Sequence, residues 1–500
     1  MPREGKMKRL YRVARSFVKD PTELIANSAR QNRLLVGKAK WRGNAQSPVC
    51  LTIDDLANAW FDANNNGVLD PGEDWGGMLA EPNSAFDLLK KDLLKHFPEV
   101  KITFFTVMGS LSSFERSRPF TAAKPIDATI ESLEFFRAIH FSSRFEIAYH
   151  GYDHGTPGEK NEDFLQEWEN VSSVDQSLEK INKGARIYAS VFWEKPRGGK
   201  TGAYIMNRAI EESIDIYGFT WWCRDLVSRS MRKDTNNILF EPKFFGENRI
   251  IDIPTTINGR VWYRRQINNL LRNRQVITIA EHISPFGAGV RYIRPNIFDD
   301  IPSLTRLFRY LNGKNVWHAT VSEIAEYINA YTFSHIFDAT KNTFQMRYAG
   351  KLKDPILTIM IDPFCLRNHN QHGYLKITLP DKSILSRQQY YYDKRLGLFL
   401  VDTPVQNGIY HVDWARNPVP KLEAKVREDG RIIYNCERLS GLIHIEMRKR
   451  PNKFFKYVNN GRETTAKYYN SNTITVFCVN SNESDRILGS SDASINKKDF

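Results

Sequence analysis

From about residue 46 to 330, short apolar runs alternate with amphipathic stretches, and no other feature constrains the fold as tightly. The strand candidates are "PVCLTI", "VKITFFTV", "RFEIAYH", "IYASVFW", "YGFTWWC", "RIIDIPTT" and "QVITIAEHI". Between them lie helical patterns such as "NSAFDLLKKDLLKHF", "IESLEFFRAIHF", "FLQEWENV…SLEKI" and "AYIMNRAIEESI". Alternation of this kind implies a parallel sheet, because parallel neighbours need a long crossover, usually a helix. At this length a distorted (β/α) barrel of about seven strands is the economical expectation, with its site at the C-terminal ends of the strands. Four runs end in residues with chemical potential: "LTIDD", "IAYHGYDH", "FWEKPR" and "IAEHIS".

Beyond residue 335 the pattern changes to short alternating segments separated by turn residues, including "GYLKITLPD", "NGIYHVDWA" and "TITVFCVNS". This predicts a C-terminal antiparallel β-sandwich-like domain. The expected organisation is a basic amphipathic helical segment over 1–45, the barrel over 46–332, a β-rich accessory domain over 333–482 and a flexible polar tail over 483–500.

Composition narrows the setting. Of 500 residues, 41% are hydrophobic and 26% charged, as in a globular protein, and no apolar run approaches bilayer length. Five widely spaced cysteines offer neither a disulfide framework nor a cysteine zinc site, which fits a reducing cytoplasm. The formal net charge of +14 favours an anionic partner. Without a zinc finger, an aromatic RNA-binding signature or a long basic tail, nucleic acid is not expected. Near the N-terminus, Met7, Leu10, Tyr11, Ala14, Phe17 and Val18 share one helical face with lysines and arginines around them. Two readings fit that face: a helix lying on anionic lipid, or a helix packed on the protein body. The expected location is cytoplasmic, with a peripheral contact at the inner membrane face.

Two histidines four apart, His150 and His154, can reach one metal ion from a tight loop, although such a pair is often just two hydrogen-bonded histidines. Asp54 and Asp55 end a buried strand, where the chain turns and both carboxylates can enter one site; turn-capping aspartates are the bland alternative. One carboxylate plus two imidazoles makes three ligands and leaves a position open for water, the arrangement of a catalytic metal site. The second carboxylate is then free to act as a general base. His282, at the end of a late strand, suits a general acid or an ordinary loop histidine.

These residues resemble the motifs of the polysaccharide deacetylases, the carbohydrate esterases that include chitin and peptidoglycan deacetylases. The T-F-D-D motif of that family is matched by "TIDD", Thr52 to Asp55, and H-[ST]-x-x-H by "HGYDH", with Gly151 where Ser or Thr is usual. The family's late-strand histidine is matched by His282, and its arginine motif loosely by "EKPRGGKTGAYIMN", with Lys195 or Arg197 in the arginine's place. Its Asp/Trp motif is matched only vaguely, by "FTWWCRDL". The resemblance covers about residues 46 to 330. It implies Asp54 as general base, Asp55, His150 and His154 as ligands of a divalent metal such as Zn2+, His282 as general acid and Arg197 as the residue orienting Asp54. It also implies removal of acetyl groups from an N-acetylated glycan or sugar precursor in bacterial surface-polysaccharide or lipopolysaccharide assembly. Without a hydroxyl at Gly151, another residue must support the histidine loop. Nearby aromatics, among them Trp60, Tyr152 and Trp222, read equally as a sugar platform or as core.

A second metal motif lies next to the first. "DANNNGVLDPGE" matches the EF-hand loop pattern at every constrained position: Asp62, Asn64 and Asn66, then Gly67 at the sharp turn, Val68 with its carbonyl, Asp70, and Glu73 at position twelve. Pro71, Gly76 and Gly77 argue against a flanking exit helix, so the expectation is an isolated, structural Ca2+ loop between the first strand and helix. An Asn/Gly-rich surface turn is the alternative. For the whole chain, the rival readings are a catalytically inactive carbohydrate-binding barrel and a related metal hydrolase acting on a non-sugar amide or ester.

Overall fold

The computed structural model describes residues 36–70, 73–74, 84–224, 242–283, 295–340, 342–362 and 374–415, and beyond these mainly the backbone of short strands reaching Cys478. The N-terminal amphipathic segment and the polar tail lie outside the described residues. The chain divides into two compact units, Ala45–Ala325 and a second built from the preceding residues and Glu326 onward.

The first unit is organised by a ten-stranded sheet. Its strands are β1 (Ser47–Leu56), β2 (Ile102–Thr106), β3 (Phe145–Tyr149), β4 (Gly198–Lys200), β5 (Trp221–Cys223), β6 (Lys243–Phe245), β7 (Ile250–Asp252), β8 (Ile257–Asn258), β9 (Ile277–His282) and β10 (Val316–His318). They run in the order β6-β7-β5-β4-β3-β2-β1-β9-β8, with β10 also on β1. Every pairing is parallel except that of the edge strand β6 with β7. Among the described residues no pairing joins β6 to β8, so the hydrogen-bonded run is open. Helices Ile130–His140, Val174–Phe192, Arg208–Tyr217, Arg264–Arg272 and Ile297–Asn312 supply the crossovers. Between sheet and helices lies one core, with Leu51, Ile53, Phe104, Ile147, Ile181, Ile279 and Leu307 among its members.

Two sequence expectations fail here for local reasons. "IYASVFW" is not a strand; it is the end of the helix Val174–Phe192. Ser173 caps that helix by accepting the Gln176 N–H, and Ser177, Ile181, Ala185, Tyr188 and Phe192 are buried at helical spacing. The true fourth strand is "GGK", which sequence propensity passes over because glycine is depleted in strands. Here glycine is required by crowding. A Cβ on Gly198 would lie 2.2 Å from the Trp221 ring, and one on Gly199 2.3 Å from the Tyr149 carbonyl.

The second unit is β-rich and mostly antiparallel. Val36–Lys38 pairs with Ile356–Ile361, which pairs with Leu398–Pro404 and through it with Tyr390–Asp393. Residues 36–44 thus belong to a β-sheet unit and not to a helical segment ending at residue 45. A second, eight-stranded sheet runs from Ser334–Phe337 to Lys467–Tyr469. Its one parallel pairing joins Ile384–Leu385 to Leu439–Glu446. Phe344 and Tyr410 stack at 4.7 Å within its core.

Candidate metal centre

Asp54 and Asp55 enter the same site because β1 is irregular there. The register with β2 shifts between Ile53 and Leu56, and Asp55 takes a left-handed conformation with φ 68°. In a regular strand the two carboxylates would point to opposite faces; the bulge re-aims one of them. Both residues are buried.

From the end of β3, His150 and His154 reach the same place on a loop rather than a helix. Each Nε2 faces Asp55 Oδ1, at 3.3 Å from His150 and 3.2 Å from His154. The Nδ1–H of His150 donates to the Lys200 carbonyl at 2.9 Å, which leaves Nε2 as the lone-pair nitrogen. Burial lowers the His154 pKa to about 4, only partly opposed by Asp55, so its imidazole is neutral, the ligand form. Among the described residues, these three form the one cluster of His, Cys, Asp or Glu side chains close enough to share an ion. Asp55 Oδ1 is buried without a hydrogen-bond partner, an acceptor left open between two imidazole nitrogens. The donor set and that orphaned oxygen fit a divalent metal.

The sequence reading put Arg197 on Asp54; the structure puts Lys200 there instead. Lys200 Nζ bonds both carboxylate oxygens of Asp54, and both side chains are almost fully buried. Burial would lower the Lys200 pKa, but Asp54 beside it drives it upward, so the ammonium stays charged. Arg197 is partly exposed and faces Glu194 at 3.6 Å. Residues 197 and 200 are three apart on an extended chain, so only one of them can face the site. Lys200 also lies 4.4 Å from the Phe105 ring centroid and 4.6 Å from that of Tyr204.

His282 ends β9, opposite Asp54 in the register. Its Nε2 lies 3.6 Å from Asp54 Oδ2, and its Nδ1 bonds the Pro295 carbonyl at 2.8 Å. Donation to that carbonyl fixes the tautomer and leaves Nε2 as the nitrogen facing the site.

Glu167, which sequence reasoning missed, lies against the histidine loop. Its buried carboxylate accepts the backbone N–H of Tyr152 at 3.0 Å and of His154 at 3.1 Å. Burial pushes its pKa up to about 7, aided by Asp153 and opposed by those N–H groups and Lys180. It holds the loop beside Gly151. No sequence pattern flagged it, because its bonds run to backbone across a turn.

The candidate platform residues separate. Trp222 is fully buried, 4.7 Å from Phe219 and 6.4 Å from Tyr149, so it is a core residue and not a sugar contact. Tyr152 is half-buried under Lys183, whose Nζ lies 3.7 Å from its ring centroid. Trp60 is half-buried and donates its Nε1–H to Glu73 at 3.4 Å.

That bond ties Trp60 to the acidic loop. Asp62 accepts the N–H groups of Asn66 and Gly67 at 3.1 and 2.8 Å, and Gly67 has φ 73°. Asn64 and Asn66 turn their carbonyl oxygens onto backbone N–H groups and their amide nitrogens onto Asp70. Glu73 accepts the N–H groups of Ala63 at 2.7 Å and Asp70 at 3.0 Å, which brings position twelve back to position two. The loop is closed upon its own oxygens.

No protein-family model matches the chain, and no curated protein matches it. Among solved structures it is similar to a candidate polysaccharide deacetylase from Mycobacterium smegmatis, at 14% identity and a TM-score of 0.36, over 59% of this chain and 94% of that one. It is also similar to the Xyl-CE4 domain of a multidomain xylanase from the hindgut metagenome of Trinervitermes trinervoides. That likeness has 13% identity and a TM-score of 0.29, over 56% of this chain and 90% of that one. A third is the peptidoglycan deacetylase PdaC from Bacillus subtilis, at 14% identity and a TM-score of 0.26, over 56% of this chain and 91% of that one.

Proposed function

We propose that the protein is a metal-dependent deacetylase that hydrolyses the N-acetyl group of an amino sugar in a bacterial surface polysaccharide or its precursor. The observation that carries this reading is the grouping of Asp55, His150 and His154 around an open acceptor, with Asp54 on Lys200 and His282 on the opposite side. The family enters through the motifs "TIDD" and "HGYDH" and through His282.

Asp55, His150 and His154 would hold the ion, with Zn2+ suited to two imidazoles and one carboxylate. When bound, a divalent ion supplies Lewis acidity and lowers the pKa of water at the site. The remaining chemistry belongs to the chain. Asp54, held by the Lys200 ammonium, accepts a proton from the attacking water. His282 keeps its Nδ1–H on the Pro295 carbonyl and acts as general acid in its imidazolium form, giving the proton carried on Nε2 to the departing amine, which is a poor leaving group unless protonated. Lys200 therefore supports both halves of the site: its ammonium holds the base, and its carbonyl orients His150.

The loop from Asp62 to Glu73 is proposed as a structural Ca2+ site that braces the segment following β1, with the Trp60 indole bonded to Glu73. The location is proposed as cytoplasmic, with the basic N-terminal sequence meeting an anionic membrane surface.

The test is metal analysis of purified protein together with acetate release from N-acetylated glycans by wild type and Asp54→Asn. The expected result is about one divalent ion at this centre per chain, with acetate release by wild type and loss of at least about a hundredfold in the variant. Metal-loaded wild type that releases no acetate from any N-acetyl glycan overturns the reading.

A further inference from the structure

We propose that Glu167 is the positioning residue of the metal-binding loop, and that residue 151 is glycine because the Glu167 carboxylate fills the space a side chain there would need. This rests on the reading of Asp55, His150 and His154 as metal ligands. Glu167 grips His154 twice. Its Oε2 accepts the His154 N–H at 3.1 Å, and its own N–H donates to the His154 carbonyl at 3.1 Å. The same carboxylate accepts the Tyr152 N–H at 3.0 Å. The clamp matters because His154 stands in the left-handed region at φ 67°, a conformation uncommon outside glycine. Without a hold on both backbone groups, the ring would be free to leave the Nε2 orientation that faces Asp55.

Gly151 completes the device. A Cβ there would sit 2.1 Å from Glu167 Oε2 and 3.0 Å from its Cδ, and the residue has φ 107°. A side chain at 151 and the Glu167 carboxylate in this position therefore compete for the same space. The loop is supported from a segment of chain sixteen residues further along, by a carboxylate that accepts the N–H groups of Tyr152 and His154.

Metal-free wild type, Glu167→Gln, Glu167→Leu and Glu167→Ala would be titrated with Zn2+ against a chromophoric chelator, with Co2+ absorption reporting ligand geometry. Leucine retains most of the volume and removes the acceptors; glutamine retains one acceptor oxygen. Wild type is expected to bind, Glu167→Leu to bind about ten- to a hundredfold more weakly, and Glu167→Gln to fall between, with circular dichroism of the metal-free proteins unchanged. The cycle with Gly151→Ala isolates the steric claim, since backbone strain at 151 is common to both backgrounds. Gly151→Ala should weaken Zn2+ binding less in Glu167→Ala than in wild type. Zn2+ binding by Glu167→Leu and Glu167→Gln within twofold of wild type overturns the positioning role, and an equal cost of Gly151→Ala in both backgrounds overturns the steric claim. Wild type that takes up no metal overturns the metal reading itself, a distinct result.

Discussion

Lys200 Nζ contacts both carboxylate oxygens of Asp54, and it does so from a strand that begins with two glycines. The pair is buried, so removing the cation leaves a charge without compensation. Lys200→Met is expected to destabilise the fold by about 3–5 kcal/mol, or to remain folded with a displaced Asp54 and a loss of at least about a hundredfold in kcat/KM. Lys200→Arg keeps the charge but brings a larger group between Phe105 and Tyr204, and should cost about 1–3 kcal/mol while retaining more activity. Thermal melts and acetate-release kinetics check both. Methionine at 200 with near wild-type stability and rate would exclude Lys200 as the partner that matters.

Trp222 separates platform from core. Its ring is fully buried, packed near Phe219 and Tyr149, and its indole Nε1 has no hydrogen-bond partner. Trp222→Phe should therefore cost about 1–3 kcal/mol of stability through lost packing and leave KM for an N-acetyl glycan within twofold of wild type. A rise in KM without a change in melting temperature would return Trp222 to the substrate.

What was legible in the chain follows from which signals are local. Strand ends carrying "TIDD" and "HGYDH" were readable because apolar runs and motif spacing are written in consecutive residues. The Asp54/Asp55 bulge was half readable: two carboxylates at one site required a break in alternation, and only the backbone shows that Asp55 supplies it with a positive φ. Lys200 was hidden because its strand is Gly-Gly-Lys, whose glycines are dictated by Trp221 and Tyr149 on neighbouring strands. The "IYASVFW" error has the opposite cause, since β-branched and aromatic residues fit a helix when their burial follows the helical period. Glu167 was invisible because its partners are backbone N–H groups, which no residue pattern records.

For the acidic loop, Glu73 is the residue to change. Its carboxylate is buried and joins the two ends of the loop through Ala63, Asp70 and Trp60. If the loop holds Ca2+, wild type melts higher in millimolar Ca2+ than in chelator, and Glu73→Gln loses most of that difference, because a bidentate carboxylate becomes a single amide oxygen. Differential scanning fluorimetry with Ca2+, with Mg2+ and with chelator gives the answer. Equal melting of wild type in Ca2+ and in chelator would remove the calcium reading and leave a self-closed surface turn.

Glu281, next to His282 on β9, is fully buried and neither of its carboxylate oxygens has a hydrogen-bond partner. Burial raises its pKa well above the ordinary carboxylate value; Asp300 adds to the effect, Arg260 opposes it and Asp54 contributes further. The sign of the pH dependence follows. Below about pH 4.5 the group is protonated in both folded and unfolded chains and imposes no ionisation penalty. As pH rises above that value, the unfolded chain ionises while the folded chain retains its proton, and stability falls by about 1.4 kcal/mol per pH unit until the folded value is reached. Glu281→Gln has the same shape without the titration. It should match wild type at pH 4 to within the constant cost of a buried amide, then gain on it as pH rises, until the folded carboxyl ionises. Urea unfolding at pH 4, 6 and 8 measures the divergence. Parallel stability curves for the two proteins would mean that the Glu281 carboxyl has found a partner that keeps its pKa ordinary.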